Sequence, residues 1–88
     1  MDLSYSKRFR KNIRLTTHAS TRMAERGVSE HYVLDLVESG NIKFKDKSHL
    51  WIYKSYADRP DNNICAAAVV GDALVVKTIM TNWHENET

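Results

Sequence analysis

The spacing of apolar residues along the chain changes at Gly40 from a helical period to a strand period. Before Gly40, residues 18–26 and 30–39 carry apolar residues three and four positions apart, which is typical of short amphipathic helices. After it, apolar residues alternate with polar ones or form short runs, as in strands. The pattern therefore predicts two helices over those ranges, followed by four strands near residues 42–46, 49–56, 63–70 and 73–82.

Capping residues flank both predicted helices. Thr16 or Thr17 supplies a side-chain oxygen at the start of the first helix, and Ser29 does the same for the second. Gly27 stands where the chain leaves the first helix, and the second helix begins three residues later. We therefore predict a left-handed conformation with a positive φ at Gly27, and Gly40 closes the second helix.

Helices that precede strands favour an α+β fold. We predict two N-terminal helices packed on one face of a four-stranded antiparallel sheet, with a two-residue hairpin at Gly71 and Asp72. Three consecutive alanines, residues 66–68, are poor strand formers and indicate where a helix lies close to the sheet. The 88 residues make a single domain, divided into a basic N-terminal arm at 1–14, a core at 15–83 and a tail at 84–88.

The cysteine count and the apolar runs exclude several classes of protein. The single cysteine, Cys65, cannot form an internal disulfide, which favours a reducing compartment, and its apolar surroundings predict a small core residue. The N-terminus lacks the apolar centre of a secretion signal, and the longest apolar run, residues 64–70, is too short to cross a membrane. We expect a cytoplasmic protein with no membrane partner.

Positive charge is concentrated in two segments, although the net charge is only +2. Residues 1–14 carry five basic residues and one acidic (+4), and residues 43–59 carry five basic and two acidic (+3). If these segments meet in space they form a phosphate-binding patch, and otherwise they only solvate the surface. The candidate nucleic-acid contacts are Arg8, Arg10, Lys11, Lys43, Lys45, Lys54 and Tyr53.

Aromatic residues in the second predicted strand offer another route to nucleic acid. His49, Trp51 and Tyr53 alternate onto one strand face, where aromatic rings could stack bases as they do in sheet-based RNA binders. Tyr56 falls on the other face together with Lys54. The alternative is that these rings fill a small core.

His18, Arg22 and Arg26 are the candidate catalytic residues. At four-residue spacing they share one side of a helix, at the border between its apolar and solvent faces. Two guanidinium groups can grip a phosphate through paired hydrogen bonds, and their charge would keep His18 neutral and able to act as a base. The alternative is an exposed helix face with weak ion pairs, for which Glu25 is the available partner.

The spacing of potential ligands predicts no metal site and no cofactor. No pair of histidines has the spacing of a zinc site, and one cysteine cannot build such a site. The chain carries no nucleotide-binding loop and no serine nucleophile motif.

The segment HASTRMAERGVSEHYVLDLVESGNI resembles the opening motif of a widespread bacterial family, the domain of unknown function numbered 4258. The family's pattern is His-Ala-x-x-Arg-Met-x-x-Arg-Gly-Ile/Val-Ser, followed by an apolar helix and a glycine, and residues 18–29 with Gly40 match it. The strand LVVKTIMTNW, residues 74–83, is similar to the family's last strand, so the resemblance covers about residues 16–83. It implies counterparts for His18, Arg22 and Arg26, and a weaker one for Thr81.

That family is similar to the barnase–colicin–RelE group of ribonuclease toxins, so the resemblance implies a RelE/barnase-like fold and a role with RNA. The first hypothesis is a toxin-like, metal-independent endoribonuclease in which His18 transfers a proton and the two arginines stabilise the phosphorane. Its second proton-transfer group would come from His49, Tyr53 or His84. The alternative is a non-catalytic module that binds RNA, DNA or a protein partner such as a cognate antitoxin.

Overall fold

Six strands form one mixed sheet in the order β1-β2-β6-β5-β4-β3, and two helices cover one of its faces. The structure, a computed structural model, describes residues 2–60 and 63–83. The predicted tail, residues 84–88, lies outside the described residues. The elements are β1 (Asp2–Ser6), β2 (Lys11–Leu15), α1 (Thr17–Arg26), α2 (Glu30–Ser39), β3 (Asn41–Phe44), β4 (His49–Ser55), β5 (Asn63–Val70) and β6 (Leu74–Thr81).

The predicted fold class, two helices on a four-stranded antiparallel RelE/barnase-like sheet, is wrong. The segment predicted as an N-terminal arm forms β1 and most of β2, and β2 pairs in parallel with β6 through Ile13 opposite Leu74. The parallel pair makes the sheet mixed, and the connection from β2 to β6 runs through the rest of the domain. The pattern misled because Tyr5, Phe9 and Ile13 recur at helical spacing, whereas Ile13 alternates with Leu15 into the core.

Contacts with α2 explain why the N-terminal segment is ordered. The Glu38 carboxylate accepts hydrogen bonds from the Ser6 hydroxyl at 2.7 Å and from the Lys7 backbone N–H at 2.7 Å. Arg8 donates from Nη1 to the carbonyl oxygens of Val37 at 3.1 Å and Gly40 at 2.6 Å, where the last helical carbonyls need donors. These hydrogen bonds join residues about thirty positions apart in sequence, so no local sequence pattern predicts them.

Both helix starts and the turn between the helices follow the sequence prediction. Thr16 accepts a hydrogen bond from the Ala19 backbone N–H, and Ser29 accepts one from Tyr32. Gly27 has φ 63°, so the predicted left-handed conformation is confirmed. Arg59 also donates to the last carbonyls of α1, at 2.9 Å each, which secures this end of the helix.

Alternation along the strands separates the sheet into a helix-covered face and a helix-free face. The core lies between the helices and the sheet and includes Ile13, Leu50, Ile52, Ala66, Ala68, Leu74, Val76 and Ile79. Ala66 and Ala68 face the core, in agreement with close packing of helix on sheet, whereas Ala67 points to the helix-free face. The turn between β5 and β6 has three residues, 71–73, rather than the predicted two, because Val70 pairs with Leu74.

Candidate nucleic-acid interface

The helix-free face presents its side chains in rows across the strands. Residues that are directly paired in a sheet share a face, so the register defines each row. The middle row runs from Lys43 in β3 through Trp51 in β4 and Ala67 in β5 to Thr78 in β6. In the next row His49 lies opposite Val69, and the Lys45 backbone N–H donates to the His49 carbonyl at 2.8 Å.

A β-bulge in β6 brings Lys77 onto the helix-free face beside Thr78. The register shifts between Ala67 and Ala68, so β6 carries one extra residue at this point. In such a bulge two consecutive side chains can point to the same side of the sheet. The Thr16 hydroxyl, which caps α1, donates to the Lys77 carbonyl at 2.9 Å and thereby secures the bulge.

These side chains surround an open groove of about 280 Å³. Ala67 has the smallest side chain of the middle row, and it lies between Trp51 on one neighbouring strand and Thr78 on the other. Because its methyl group is shorter than the side chains of Trp51 and Thr78, the surface is recessed at Ala67 and forms a depression between them. The side chains that line the groove are those of Lys45, His49, Trp51, Ala67, Lys77 and Thr78.

The groove is positively charged. Lys45 and Lys77 are exposed at opposite sides of it, and within residues 2–60 and 63–83 neither side chain has a carboxylate partner. Their backbone positions are separated by three strand spacings, or about 14 Å. Two ammonium groups at that separation, with an indole ring between them, favour an anionic ligand that also carries a flat apolar surface.

His49 is held by an aspartate within the turn between β3 and β4. Its Nδ1 lies 3.0 Å from Oδ1 of Asp46. The same carboxylate oxygen accepts the backbone N–H of Ser48 at 2.9 Å and of His49 at 2.8 Å. These hydrogen bonds hold the pKa of Asp46 well below its usual range, so the carboxylate stays charged beside the imidazole.

Tyr53 and Trp83 pack on each other further along the same face, with ring centroids 4.8 Å apart. Cys65 is opposite Tyr53 in the register and is fully buried, although it belongs to the helix-free face rather than to the core cluster. Burial raises the pKa of the Cys65 thiol to about 12, so it remains neutral and unreactive at ordinary pH.

The structure places His18, Arg22 and Arg26 on α1, across the sheet from the groove. Arg22 donates to Oε1 of Glu25 at 2.6 Å, and Arg26 donates to the Thr81 hydroxyl at 3.3 Å. His18 is exposed, and Arg26 has no carboxylate partner within the described part of the chain. The helix therefore lies on the face opposite to His49.

The second proton-transfer candidates do not lie with this helix. Both His49 and Tyr53 point to the helix-free face, so the structure does not bring either of them together with His18. His84, the third candidate, lies outside the described residues.

The predicted basic contacts separate into three groups. Lys43 and Lys45 lie on the helix-free face, whereas Arg10 and Lys11 belong to the hairpin between β1 and β2. Arg8 is engaged by α2, as described above. The basic residues predicted to form one patch are therefore not all close together, and of these three groups only Lys43 and Lys45 lie on the helix-free face.

Lys54 takes part in a polar cluster between β4 and α2. Its Nζ lies 2.9 Å from Oδ2 of Asp35, which also accepts the Tyr56 hydroxyl at 2.6 Å. Burial and the hydrogen bond to Asp35 raise the pKa of Tyr56, whereas the donors Tyr56 and Lys54 lower the pKa of Asp35. The cluster ties α2 to the sheet, and the Lys54 ammonium group is already paired with Asp35 within the protein.

Sequence reasoning missed Lys77 and Asp46. The run Val75-Val76-Lys77-Thr78-Ile79 places two polar residues between apolar ones, and this break in the alternation is the signal for a bulge. Asp46 precedes His49 by three residues within Asp-Lys-Ser-His, a composition typical of a turn in which an aspartate accepts backbone hydrogen bonds.

We expect acid to destabilise the fold, because hydrogen bonds lower the pKa of the Glu38 carboxyl group in the folded protein. Burial alone would raise the pKa of Glu38, but the hydrogen bonds from Ser6, Lys7 and Arg8 outweigh it and the pKa is lowered. A lowered folded-state pKa contributes stability that is present above the unfolded value, about 4, and is lost as pH falls below it. Urea midpoints measured from about pH 6 down to about pH 2 should therefore fall.

Glu38→Gln should lower the free energy of unfolding at neutral pH by about 1 kcal/mol and flatten the acid dependence, since the amide cannot titrate. Asp72→Asn is the control, because Asp72 is exposed in a turn and has no hydrogen bond or ion pair within the described ranges. Equal acid dependence in the wild-type protein and the Glu38→Gln variant would contradict the role of Glu38.

Comparison with known proteins identifies a family for most of the chain. Residues 15–81 match the family model described as "Domain of unknown function (DUF4258)", as the motif at His18–Ser29 predicts. The match begins at the last residue of β2 and ends at the last residue of β6, so it includes the groove. No curated protein and no solved structure matches the chain. Within the described ranges, no helix has the length and apolar character to span a membrane.

Proposed function

Since the chain belongs to the DUF4258 family, whose description assigns no activity, we propose that its helix-free face binds single-stranded RNA. The phosphates would contact Lys45 and Lys77, and a base would pack on Trp51 in the groove. The observation that carries this proposal is the groove itself, in which two lysines without carboxylate partners in the described ranges flank an indole ring. Stacking on aromatic side chains and contact of cations with phosphates are the two recurring elements of single-strand recognition.

A single strand fits the groove better than a duplex. In a duplex the base faces are stacked on each other, so they are not available to an aromatic side chain. Trp51 is half-buried in the wall of a depression, where only an unstacked base would reach it. The small Ala67 side chain leaves the space that such a base requires.

Cleavage at His18, Arg22 and Arg26 is a second hypothesis. It derives from the resemblance to the barnase–colicin–RelE ribonucleases, and it is favoured by Arg26, which has no carboxylate partner in the part of the chain that the structure describes. An RNA phosphate on α1 would lie on the opposite side of the sheet from the groove. The two hypotheses therefore predict different binding surfaces, and charge removal on each surface separates them.

The decisive experiment compares two double variants that remove the same charge. Lys45→Ala with Lys77→Ala removes two positive charges from the groove, and Arg22→Ala with Arg26→Ala removes two from α1. Binding to a fluorescently labelled single-stranded RNA is measured by anisotropy over a range of salt concentrations. We expect the groove variant to lose at least about tenfold in affinity at about 0.1 M salt, with a salt slope lower by about 2.

The α1 variant should bind within about threefold of the wild type, because a distant charge is screened beyond about 10 Å at 0.1 M salt. Far-ultraviolet circular dichroism confirms that both variants are folded. Equal losses in the two variants would show that binding depends only on net charge and would contradict a site in the groove. A loss confined to the α1 variant would favour the second hypothesis.

A further inference from the structure

We infer that His49 is a catalytic residue that cleaves the RNA bound in the groove, and that Asp46 is its positioning residue. The inference rests on the RNA binding proposed above. The geometry behind it is a histidine that lines a positively charged groove while one of its ring nitrogens is held by a fixed carboxylate. Neither His49 nor Asp46 belongs to the motif that identifies the family at the start of the match.

The turn between β3 and β4 fixes Asp46 before it meets the imidazole. Its Oδ1 accepts two backbone N–H groups, from Ser48 and from His49, so the carboxylate cannot rotate away without losing both. Nδ1 of His49 lies 3.0 Å from Oδ1 and 3.1 Å from Oδ2. The imidazole is therefore oriented by a carboxylate that the backbone of the same turn holds in place, rather than by a distant segment.

This arrangement selects the tautomer of His49. A carboxylate accepts hydrogen bonds, so Nδ1 carries the proton and Nε2 carries the lone pair. Within residues 2–60 and 63–83, no hydrogen bond engages Nε2. Nε2 is thus available to a ligand in the groove as a proton acceptor, the role that a carboxylate-oriented histidine has in general-base catalysis.

The reaction that fits is attack by the ribose 2′-hydroxyl on the adjacent phosphorus. Nε2 of His49 takes the proton from the 2′-hydroxyl, the bond between O2′ and phosphorus forms, and the bond between phosphorus and O5′ breaks. The leaving O5′ takes a proton from water, and the imidazolium returns its proton to the hydroxide that results. The products are a 2′,3′-cyclic phosphate and a 5′-hydroxyl, and no covalent intermediate with the protein forms.

The neighbouring side chains supply what this reaction needs besides proton transfer. The pentacoordinate phosphorus carries more negative charge than the ground state, and the ammonium groups of Lys45 and Lys77 are the cations of the groove. Trp51 is two residues from His49 on the same face and would hold the base next to the ribose. Proton acceptor, cations and stacking surface thus line one groove.

The experiment uses the full chain with a single-stranded RNA and with DNA of the same sequence, in the presence of EDTA to stop metal-dependent nucleases. Cleavage is followed by gel electrophoresis and the products are identified by mass, while binding is measured by anisotropy on the DNA. We expect cleavage of the RNA to a cyclic phosphate and none of the DNA, which lacks the 2′-hydroxyl. His49→Asn should lower the cleavage rate about 100-fold or more and leave binding within about threefold.

His31→Asn, prepared in parallel, is the matched control and should cleave at the wild-type rate, because His31 is exposed on α2 and belongs to neither candidate site. Asp46→Asn should lower the rate and move the pH–rate profile measured between about pH 5 and pH 8, which a merely structural role would not do once the variant is shown to fold. Binding without cleavage, or cleavage that does not depend on His49, would overturn this inference and leave the proposed binding intact. Absence of RNA binding would instead contradict the proposed function.

Discussion

Replacing Gly40 with alanine should lower the free energy of unfolding by about 2–3 kcal/mol, a large share of the stability of a domain of this size. A Cβ at Gly40 would lie 2.5 Å from the Leu36 carbonyl oxygen, 2.9 Å from Cγ2 of Ile52 and 3.1 Å from the Tyr53 carbonyl oxygen. Two of these three atoms belong to the backbone, so a rotamer change cannot relieve the overlap. The end of α2 would have to move away from β4.

The cause is steric and not conformational. Gly40 has φ −72°, which any residue adopts, and its backbone N–H donates to the Leu36 carbonyl at 2.7 Å. Its carbonyl also accepts the Arg8 guanidinium at 2.6 Å, so displacement would disturb the docking of the β1–β2 hairpin as well. The glycine is thus needed for close approach of three elements.

Urea unfolding followed by circular dichroism measures this effect, and Gly71→Ala is the matched control. A Cβ at Gly71 meets no atom within 4 Å, and the same chemical change there should alter stability by less than about 0.5 kcal/mol. Similar unfolding midpoints for the two variants would contradict the steric argument.

Filling the groove should abolish most RNA binding without any change of charge. Ala67→Leu adds three carbon atoms to the floor between Trp51 and Thr78 and leaves both lysines in place. We expect a loss of affinity comparable with that of Trp51→Ala, about 5- to 150-fold, because each removes one stacked base. Trp51→Phe should retain most of the affinity, since a phenyl ring can still stack.

Anisotropy with the labelled RNA measures these losses, and Ala24→Leu is the control. Ala24 is exposed on α1, so that variant adds the same volume to the opposite side of the protein. An Ala67→Leu variant that binds as tightly as the wild type would show that the ligand does not enter the groove, and RNA binding would then have to use another surface.

Local sequence was enough for the helices and for most of the strands. The caps Thr16 and Ser29 and the turn glycine Gly27 act within a few residues of their own position, so their roles can be inferred from sequence. The alternation of His49, Trp51 and Tyr53 likewise indicated that they share a face, although it did not indicate that the face is free of helices. The family motif at His18–Ser29 was recognisable for the same reason, as it is continuous in sequence.

The N-terminal strands required tertiary information. Ser6 and Arg8 contact α2 about thirty residues later, and β2 finds its partner β6 about sixty residues later. The local sequence of the N-terminal segment does not indicate that the Glu38 carboxylate, about thirty residues later, will accept its hydrogen bonds. The four-stranded prediction failed for this reason.

The candidate site also arises from distant segments. Lys45 and Lys77 are more than thirty residues apart in sequence, and they line one groove only because β3 and β6 are separated by two strands in the sheet. The depression needs Ala67 to lie between Trp51 and Thr78, which depends on the strand register. The sequence by itself determined the local elements, their caps and the alternation of their faces, because these depend on neighbouring residues. Only the tertiary structure decided the mixed sheet, the bulge at Lys77 and the composition of the groove, because each depends on the pairing of strands that are far apart along the chain.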